Sequence, residues 1–172
     1  MSSEEIHDEP PENGGSLNSQ GRALYKQGDL EGACALFQRA VEAEPRHFPS
    51  RLNLGVALFK LGRLDESVTQ CLKAVELNSA HPQAHFHLAN AYFAKSWWEE
   101  ALTEYEKVLE LKPDHAGAHF GLGVLFLNRG WVERALTAWE RYLVLEPQSP
   151  KAAALRENIE AARAGRAIVQ KW

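Results

Sequence analysis

The chain has 172 residues, a hydrophobic fraction of 45% and a formal net charge of −4. This length suits one domain of ordinary size, and the small negative charge argues against a nucleic acid partner. No apolar run approaches the roughly 20 residues of a membrane helix and no targeting segment is visible, so we expect a cytoplasmic protein without membrane insertion.

The N-terminal segment differs in composition from the rest of the chain. Residues 1–13 carry five carboxylates and neither Lys nor Arg, and they include Pro10 and Pro11. A segment so charged and so poor in apolar residues cannot offset the entropy cost of ordering, so we predict a disordered acidic tail. A run of charge is usually only solvated; the alternative is that the tail folds back onto the more basic C-terminal region.

The residues that follow repeat with a period of 34 and no insertion or deletion. One series of small residues at this spacing is Gly21, Gly55, Ala89 and Gly123, and a second is Ala33, Ser67, Ala101 and Ala135. A fixed period of this length indicates a stack of similar supersecondary units. The four predicted repeats are 14–47, 48–81, 82–115 and 116–149.

Each repeat is predicted to contain two helices joined by a short turn. In the second repeat, the apolar run 52–61 ends at Gly62, and apolar residues in 68–75 recur at helical spacing after Asp65. Glycine recurs at the turn position of three repeats, and Ser96 replaces it in the third. Residues 150–172 begin one more helix without a partner, which we expect to cap the apolar end of the stack.

These positions resemble the tetratricopeptide repeat. Large residues lie between the small ones, at Leu24, Leu58, Tyr92 and Phe126 on the first helices and at Phe37, Cys71, Tyr105 and Trp139 on the second. The departures from the family pattern are Ser67, Ser79, Val108 and Tyr142. The resemblance implies an all-α, right-handed superhelical solenoid of four 34-residue helix-turn-helix repeats plus the C-terminal capping helix. It also implies a protein without catalytic activity that binds a partner segment in a concave groove.

In the family, residues at fixed offsets of each first helix line that groove. The apolar residues at these offsets are Leu52, Val56, Phe59, Phe86, Phe93, Phe120, Val124 and Leu127, and the polar ones include Arg22, Asn53, His87 and Asn90. Apolar groups on a surface favour binding, and an Asn amide pairs with a peptide backbone without reading its sequence. The alternative is that part of this stripe packs against the next repeat and the partner binds another surface.

Some family members grip a chaperone's C-terminal carboxylate with Lys and Arg side chains. At the matching positions this chain has Asn18, Arg22, Asn53, Gln83 and His87. Only Asn53 fits, and most of the cations that would bind a carboxylate are missing. The sequence therefore argues against that ligand.

A second candidate surface consists of tryptophans. Trp97 and Trp131 are 34 residues apart in the turn between the two helices of their repeats, and Trp98 adjoins the first. Exposed tryptophans in register are suited to contact a partner or a second copy of the chain, which makes a homo-oligomer a possible state. The alternative is that each ring folds back over its own turn.

Other constellations carry less weight. His81 with His85, and His115 with His119, have helical spacing that suits a shared metal, but no third ligand accompanies them. Two cysteines, Cys34 and Cys71, are expected to be reduced and buried. Because no catalytic motif is present, we expect a non-enzymatic adaptor, scaffold or assembly factor without cofactor or metal. The alternatives are a self-associating scaffold built through the tryptophans and a non-catalytic recruiting subunit of an enzyme complex.

Overall fold

The computed structural model describes residues 13–168, so nearly all of the predicted acidic tail lies outside the described residues. Within them every regular element is an α-helix and no strand occurs, which confirms the all-α class. The helices are α1 Gly14–Gln27, α2 Leu30–Ala43, α3 Phe48–Lys60, α4 Leu64–Leu77, α5 Pro82–Ala94, α6 Trp98–Leu111, α7 Ala116–Asn128, α8 Val132–Leu145 and α9 Ala152–Arg163. No helix in this part of the chain is long and apolar enough to cross a membrane.

The chain divides into two compact units, the first ending at Ser79 and the second beginning at Ala80. In the first unit, α1 packs on α2, α3 packs on α4, and α3 also contacts both α1 and α2. Its buried apolar core is formed by Ala33, Cys34, Phe37, Val41, Leu54, Ala57 and Leu58. Burial of this kind is the main source of stability for short helices, which are marginal alone.

The second unit comprises α5 to α9. Its larger core lies between α5, α6, α7 and α8, and includes Tyr105 and Leu122. A separate cluster joins α8 to α9, where Leu155 and Ile159 pack with Trp139 and Tyr142. A small residue is usual at this position of the repeat. In the fourth repeat, the Tyr142 ring at this position packs against α9.

Close helix crossings account for two of the small residues in the 34-residue series. A Cβ added to Gly21 would lie 2.6 Å from the Phe37 ring, and one added to Gly55 would lie 2.6 Å from the Cys71 sulfur. Both cysteines are buried and form no disulfide, as expected. Burial raises the pKa of the Cys71 thiol to about 12, so it stays protonated and acts as a small apolar group.

Histidines at the repeat boundaries act as helix caps or hydrogen-bond partners. The His115 Nδ1 atom accepts a hydrogen bond of 3.1 Å from the Ala118 amide, and burial lowers the pKa of this imidazole, which keeps the ring neutral and able to accept. His85 lies 2.6 Å from Glu104, and the His119 ring nitrogen lies 2.9 Å from the Pro113 carbonyl. Among residues 13–168, no group of three His, Cys, Asp or Glu side chains is arranged to hold a metal ion.

The turns between paired helices place one residue in the left-handed region. Glycine takes this position in three repeats, with φ of 88° at Gly28, 75° at Gly62 and 74° at Gly130, whereas Ser96 takes it in the third with φ of 59°. A side chain in this region is strained, because its Cβ crowds the following carbonyl.

We predict that Ser96→Gly will stabilise the protein by up to about 1 kcal/mol. Relief of roughly 1–2 kcal/mol of backbone strain is partly offset by the greater entropy of glycine in the unfolded chain. Urea unfolding followed by circular dichroism measures the change. The matched control, Gly62→Ser, is expected to destabilise by a similar amount; equal stability of both variants with the parent would contradict the prediction.

Candidate partner-binding surfaces

In the first unit, the predicted groove residues lie on adjoining faces of α1 and α3. Arg22 is exposed, and the α3 residues Leu52, Asn53, Val56 and Phe59 are half-buried. A cavity of ≈ 120 Å³ opens here, lined by Arg22, Tyr25, Lys26, Phe37, Asn53 and Val56. The structure therefore brings a cation, an amide and an apolar floor together at one small opening.

Asn53 is held in place by a second amide. Its Nδ2 donates a 2.8 Å hydrogen bond to the Oδ1 of Asn18, which is itself buried. The assigned bond fixes the orientation of the Asn53 amide and leaves its Oδ1 without a hydrogen bond within residues 13–168. That oxygen is suited to accept a hydrogen bond from the backbone of a bound peptide.

In the second unit, the predicted apolar residues belong to α5 and α7 and are all half-buried. The Phe86 ring lies 4.7 Å from that of His115, the Phe93 ring 5.2 Å from that of Trp98, and the Phe120 ring 5.4 Å from that of Tyr142, measured between ring centroids. Val124 and Leu127 pack against the same cores. One side of each aromatic ring is thus covered, and the apolar stripe is less exposed than the sequence pattern indicates.

Asn90 has the arrangement opposite to that of Asn53. Its Oδ1 accepts a 2.6 Å hydrogen bond from the Tyr105 hydroxyl. Burial raises the pKa of the Tyr105 phenol well above its usual value, so the hydroxyl remains a donor. The Nδ2 of Asn90 makes no hydrogen bond within the described part of the chain, which leaves it able to donate to a peptide carbonyl.

The tryptophans partly fold over their own turns and partly stay exposed. Trp97 is 42% exposed, with the Lys95 ammonium 4.1 Å from its ring centroid, and Trp131 is 39% exposed. Trp131 rests beside Phe126, with 5.9 Å between ring centroids. Trp98 is half-buried and covers Phe93, so its part in a second surface is smaller than that of the other two.

A surface that the sequence pattern did not single out lies between α7 and α8. A cavity of ≈ 470 Å³ is lined there by His119, Phe126, Arg134, Thr137, Ala138 and Arg141. The sequence does contain an indication of this surface. The repeat position that holds Glu66 and Glu100 in the second and third repeats holds Arg134 in the fourth. Groove residues were predicted only on the first helix of each repeat, so this position on the second helix was not among them.

Comparison with family models matches two stretches of the chain. A model described as tetratricopeptide repeat matches residues 18–85, and one described as TPR repeat matches residues 90–130. The chain belongs to the tetratricopeptide repeat family. A comparison with curated proteins found no match.

Solved structures with the same fold are numerous. TTC0263, a thermophilic TPR protein in Thermus thermophilus, is 21% identical with a TM-score of 0.75, over 89% of this chain and 84% of that chain. YrrB, a TPR protein with an unusual peptide-binding site, is 23% identical with a TM-score of 0.74, over 84% of this chain and 74% of its own. These likenesses confirm the helical-repeat solenoid class.

A third structure is the first TPR of Spaghetti (RPAP3), bound to the HSP90 peptide SRMEEVD. It is 28% identical to this chain with a TM-score of 0.66, and the match covers 68% of this chain and 93% of that one.

Proposed function

We propose that this chain is a protein-interaction module that binds a segment of a partner protein on the faces formed by its first helices. The family is generally one of non-catalytic interaction proteins, and two of the similar structures are described as peptide-binding. The observation that carries the proposal is the pair of amides. Asn53 offers an acceptor and Asn90 a donor, and each is oriented by an intramolecular hydrogen bond beside half-buried apolar side chains.

Pre-oriented amides favour an extended partner segment. A peptide backbone supplies both N–H donors and C=O acceptors, so the Asn53 oxygen in the first unit and the Asn90 amide nitrogen in the second can each bind a backbone group whatever the sequence of the peptide. Because the groups are already fixed, binding costs less side-chain entropy than it would for mobile ones. The adjoining apolar residues, such as Val56 and Val124, then select partner side chains of apolar character.

The proposal predicts that Asn53→Ala combined with Asn90→Ala weakens partner binding by about tenfold. Each lost hydrogen bond contributes roughly 0.5–1.5 kcal/mol, and two together amount to about one order of magnitude in Kd. To identify the partner, a photo-crosslinking amino acid is placed at Val56 or Val124, with Thr69 and Thr103 on the second helices as control positions. Affinity of the double variant for the crosslinked partner is then measured by calorimetry.

The controls separate this face from the rest of the surface. Crosslinks from Val56 and Val124 but not from Thr69 and Thr103 would support the proposal. Equal crosslinking at all four positions, or an unchanged Kd for the double variant, would place the partner elsewhere. Circular dichroism of each variant checks that helix content is retained.

The peptide SRMEEVD tests a narrower ligand. Although Arg22 and Lys26 border the cavity in the first unit, the Gln83 side chain bonds to His115 at 3.2 Å and the neighbouring groove position holds His87. The cations required for a full carboxylate clamp are incomplete. Millimolar or weaker affinity is the expected result, and micromolar binding would contradict the conclusion that the clamp is incomplete.

Self-association is the second candidate function. It is favoured by the exposed faces of Trp97 and Trp131, which lie in the same unit. If these rings form an interface between copies, Trp97→Ala with Trp131→Ala converts an oligomer into a monomer in sedimentation velocity. A parent protein that is already monomeric at high micromolar concentration rules the scaffold out.

A further inference from the structure

The second helix of the fourth repeat lacks acidic side chains at three register positions where the third repeat has glutamate. At one second-helix register position, Glu66 and Glu100 are followed by Arg134, and four residues further on Glu104 is followed by Ala138. In the third repeat, Glu104 lies 2.6 Å from His85. The corresponding residues of the fourth repeat are His119 and Ala138, so the carboxylate beside the imidazole is replaced by an apolar side chain.

The arginines of this surface have no carboxylate partner in the part of the chain that the structure describes. Neither Arg134 nor Arg141 forms an ion pair within residues 13–168, whereas nearby acids are engaged: Glu99 with Arg129 at 3.1 Å, and Glu140 with Arg163. Glu133 is exposed on α8 but does not line the cavity. Two guanidinium groups and an imidazole therefore border an opening whose wall, as far as the described residues form it, contains no acid.

The cavity between these groups has an apolar, aromatic floor. The Arg134 guanidinium carbon lies 4.1 Å from the ring centroid of Phe126 and 5.1 Å from that of Trp131, so this cation contacts both aromatic rings. The cavity volume of ≈ 470 Å³ exceeds that of a single large side chain and falls within the range of ligand sites. Val144, where the three preceding repeats have Glu, extends the loss of acidic groups along α8.

We infer that this α7/α8 surface is a second docking site, which takes an acidic segment of a partner protein with one large apolar side chain between carboxylates. The apolar side chain enters the cavity beside Thr137 and Ala138, where the Arg134 guanidinium already lies against the Phe126 ring. The flanking carboxylates pair with Arg134 and Arg141, whose forked donors suit bidentate binding. The site involves none of the residues assigned to the first-helix faces, so it adds a second attachment point to the proposed module.

The test uses the full chain and a fluorescein-labelled heptapeptide with one Phe between two runs of three Glu. Fluorescence anisotropy is expected to show saturable binding that weakens as salt rises. Arg134→Glu with Arg141→Glu should raise Kd by at least about tenfold, since charge-assisted hydrogen bonds are stronger than neutral ones and the variant replaces both with like-charge repulsion. Arg134→Gln alone should have an intermediate effect, which guards against a folding defect in the double variant.

Matched controls isolate the site from net charge and from the first-helix face. Arg39→Glu with Lys73→Glu makes the same change in net charge at the register position of Arg141 in the first two repeats, and should leave Kd within about twofold. The variant that lacks both proposed groove amides should also bind the heptapeptide normally. A peptide with Gln in place of Glu should bind at least about tenfold more weakly.

Several results would overturn the inference. If the Arg134→Glu, Arg141→Glu variant binds the heptapeptide with the same Kd as the parent, the peptide does not bind at this surface. If the parent binds the Gln and Glu peptides with the same Kd, the site does not recognise acidic side chains. Replacing the five carboxylates of residues 1–12 with amides tests the chain's own tail: tighter heptapeptide binding afterwards would make that tail the occupant. An oligomer in sedimentation that becomes monomeric in the arginine variant would make a second copy the occupant.

Discussion

Trp139→Ala is expected to lower the free energy of unfolding by about 3–5 kcal/mol, the usual cost of deleting a fully buried large aromatic ring. The Trp139 side chain is 0% exposed and packs in the cluster that joins α8 to α9, with Leu136, Leu155 and Ile159 among its neighbours. Its ring also fills the space left by the missing side chain of Gly123. The truncation therefore leaves a cavity bordered by three helices.

Urea unfolding followed by circular dichroism measures this loss. Trp131→Ala is the matched control, because it deletes the same side chain where 39% of it is exposed. Its cost should be smaller by at least about 1 kcal/mol, because the partly exposed ring loses less buried area and leaves no enclosed cavity. A cost for Trp139→Ala no larger than that of Trp131→Ala would mean that the α8–α9 cluster adds little to stability.

The large effect expected at Trp139 follows from the 34-residue spacing of small and large residues, which is visible in the sequence. A small residue on one helix and a large residue on the other, both repeated every 34 residues, predict a ring that packs over a glycine. The structure has this arrangement for Phe37 over Gly21 and for Trp139 over Gly123. Helix crossing distance is set by such pairs, so the period and the residue sizes predicted a stack of helix pairs, and the resemblance to the tetratricopeptide repeat implied the solenoid class.

The third repeat shows where this prediction ends. Ala89 occupies the small position there, and the Tyr105 ring, which belongs to the same buried cluster, also lies close to Gly121 of the following helix and donates a hydrogen bond to Asn90. These further contacts depend on the packing of three helices together, which residue spacing does not contain. For the same reason the sequence could predict Asn90 as a groove residue but not that its oxygen is already engaged.

Exposure of the candidate site was the weaker part of the prediction. The first-helix phenylalanines were expected on a surface, and contacts with rings from the second helices leave them half-buried. Such cover depends on side-chain rotamers of residues that are distant in sequence. The charge on α8 could have been predicted from the sequence. Aligning the repeats by charge, and not only by apolar residues, shows Arg134 at the position where the second and third repeats have glutamate.

Gly55→Ala is expected to destabilise the protein by about 1–3 kcal/mol, although alanine is the better helix former by nearly 1 kcal/mol. A Cβ at residue 55 would lie 2.6 Å from the Cys71 sulfur, whose side chain is 0% exposed and has little room to move. A hydrogen bond also joins the two helices at this crossing: the Ser67 hydroxyl of α4 donates a 2.8 Å hydrogen bond to the Gly55 carbonyl of α3.

A double-mutant cycle separates this clash from other effects of the substitution. Cys71→Ala alone should cost about 0.5–1.5 kcal/mol through lost burial. Combined with Gly55→Ala, it removes the sulfur that the new methyl group would meet, so the double variant should be more stable than the sum of the single costs by at least about 1 kcal/mol. Additive costs would locate the strain elsewhere, at the Ser67 hydrogen bond or in the backbone. Because the next atoms, the Cys71 amide nitrogen and the Ser67 carbonyl oxygen, lie 3.4 and 3.5 Å from the added Cβ, the sulfur is the contact that makes this position require glycine.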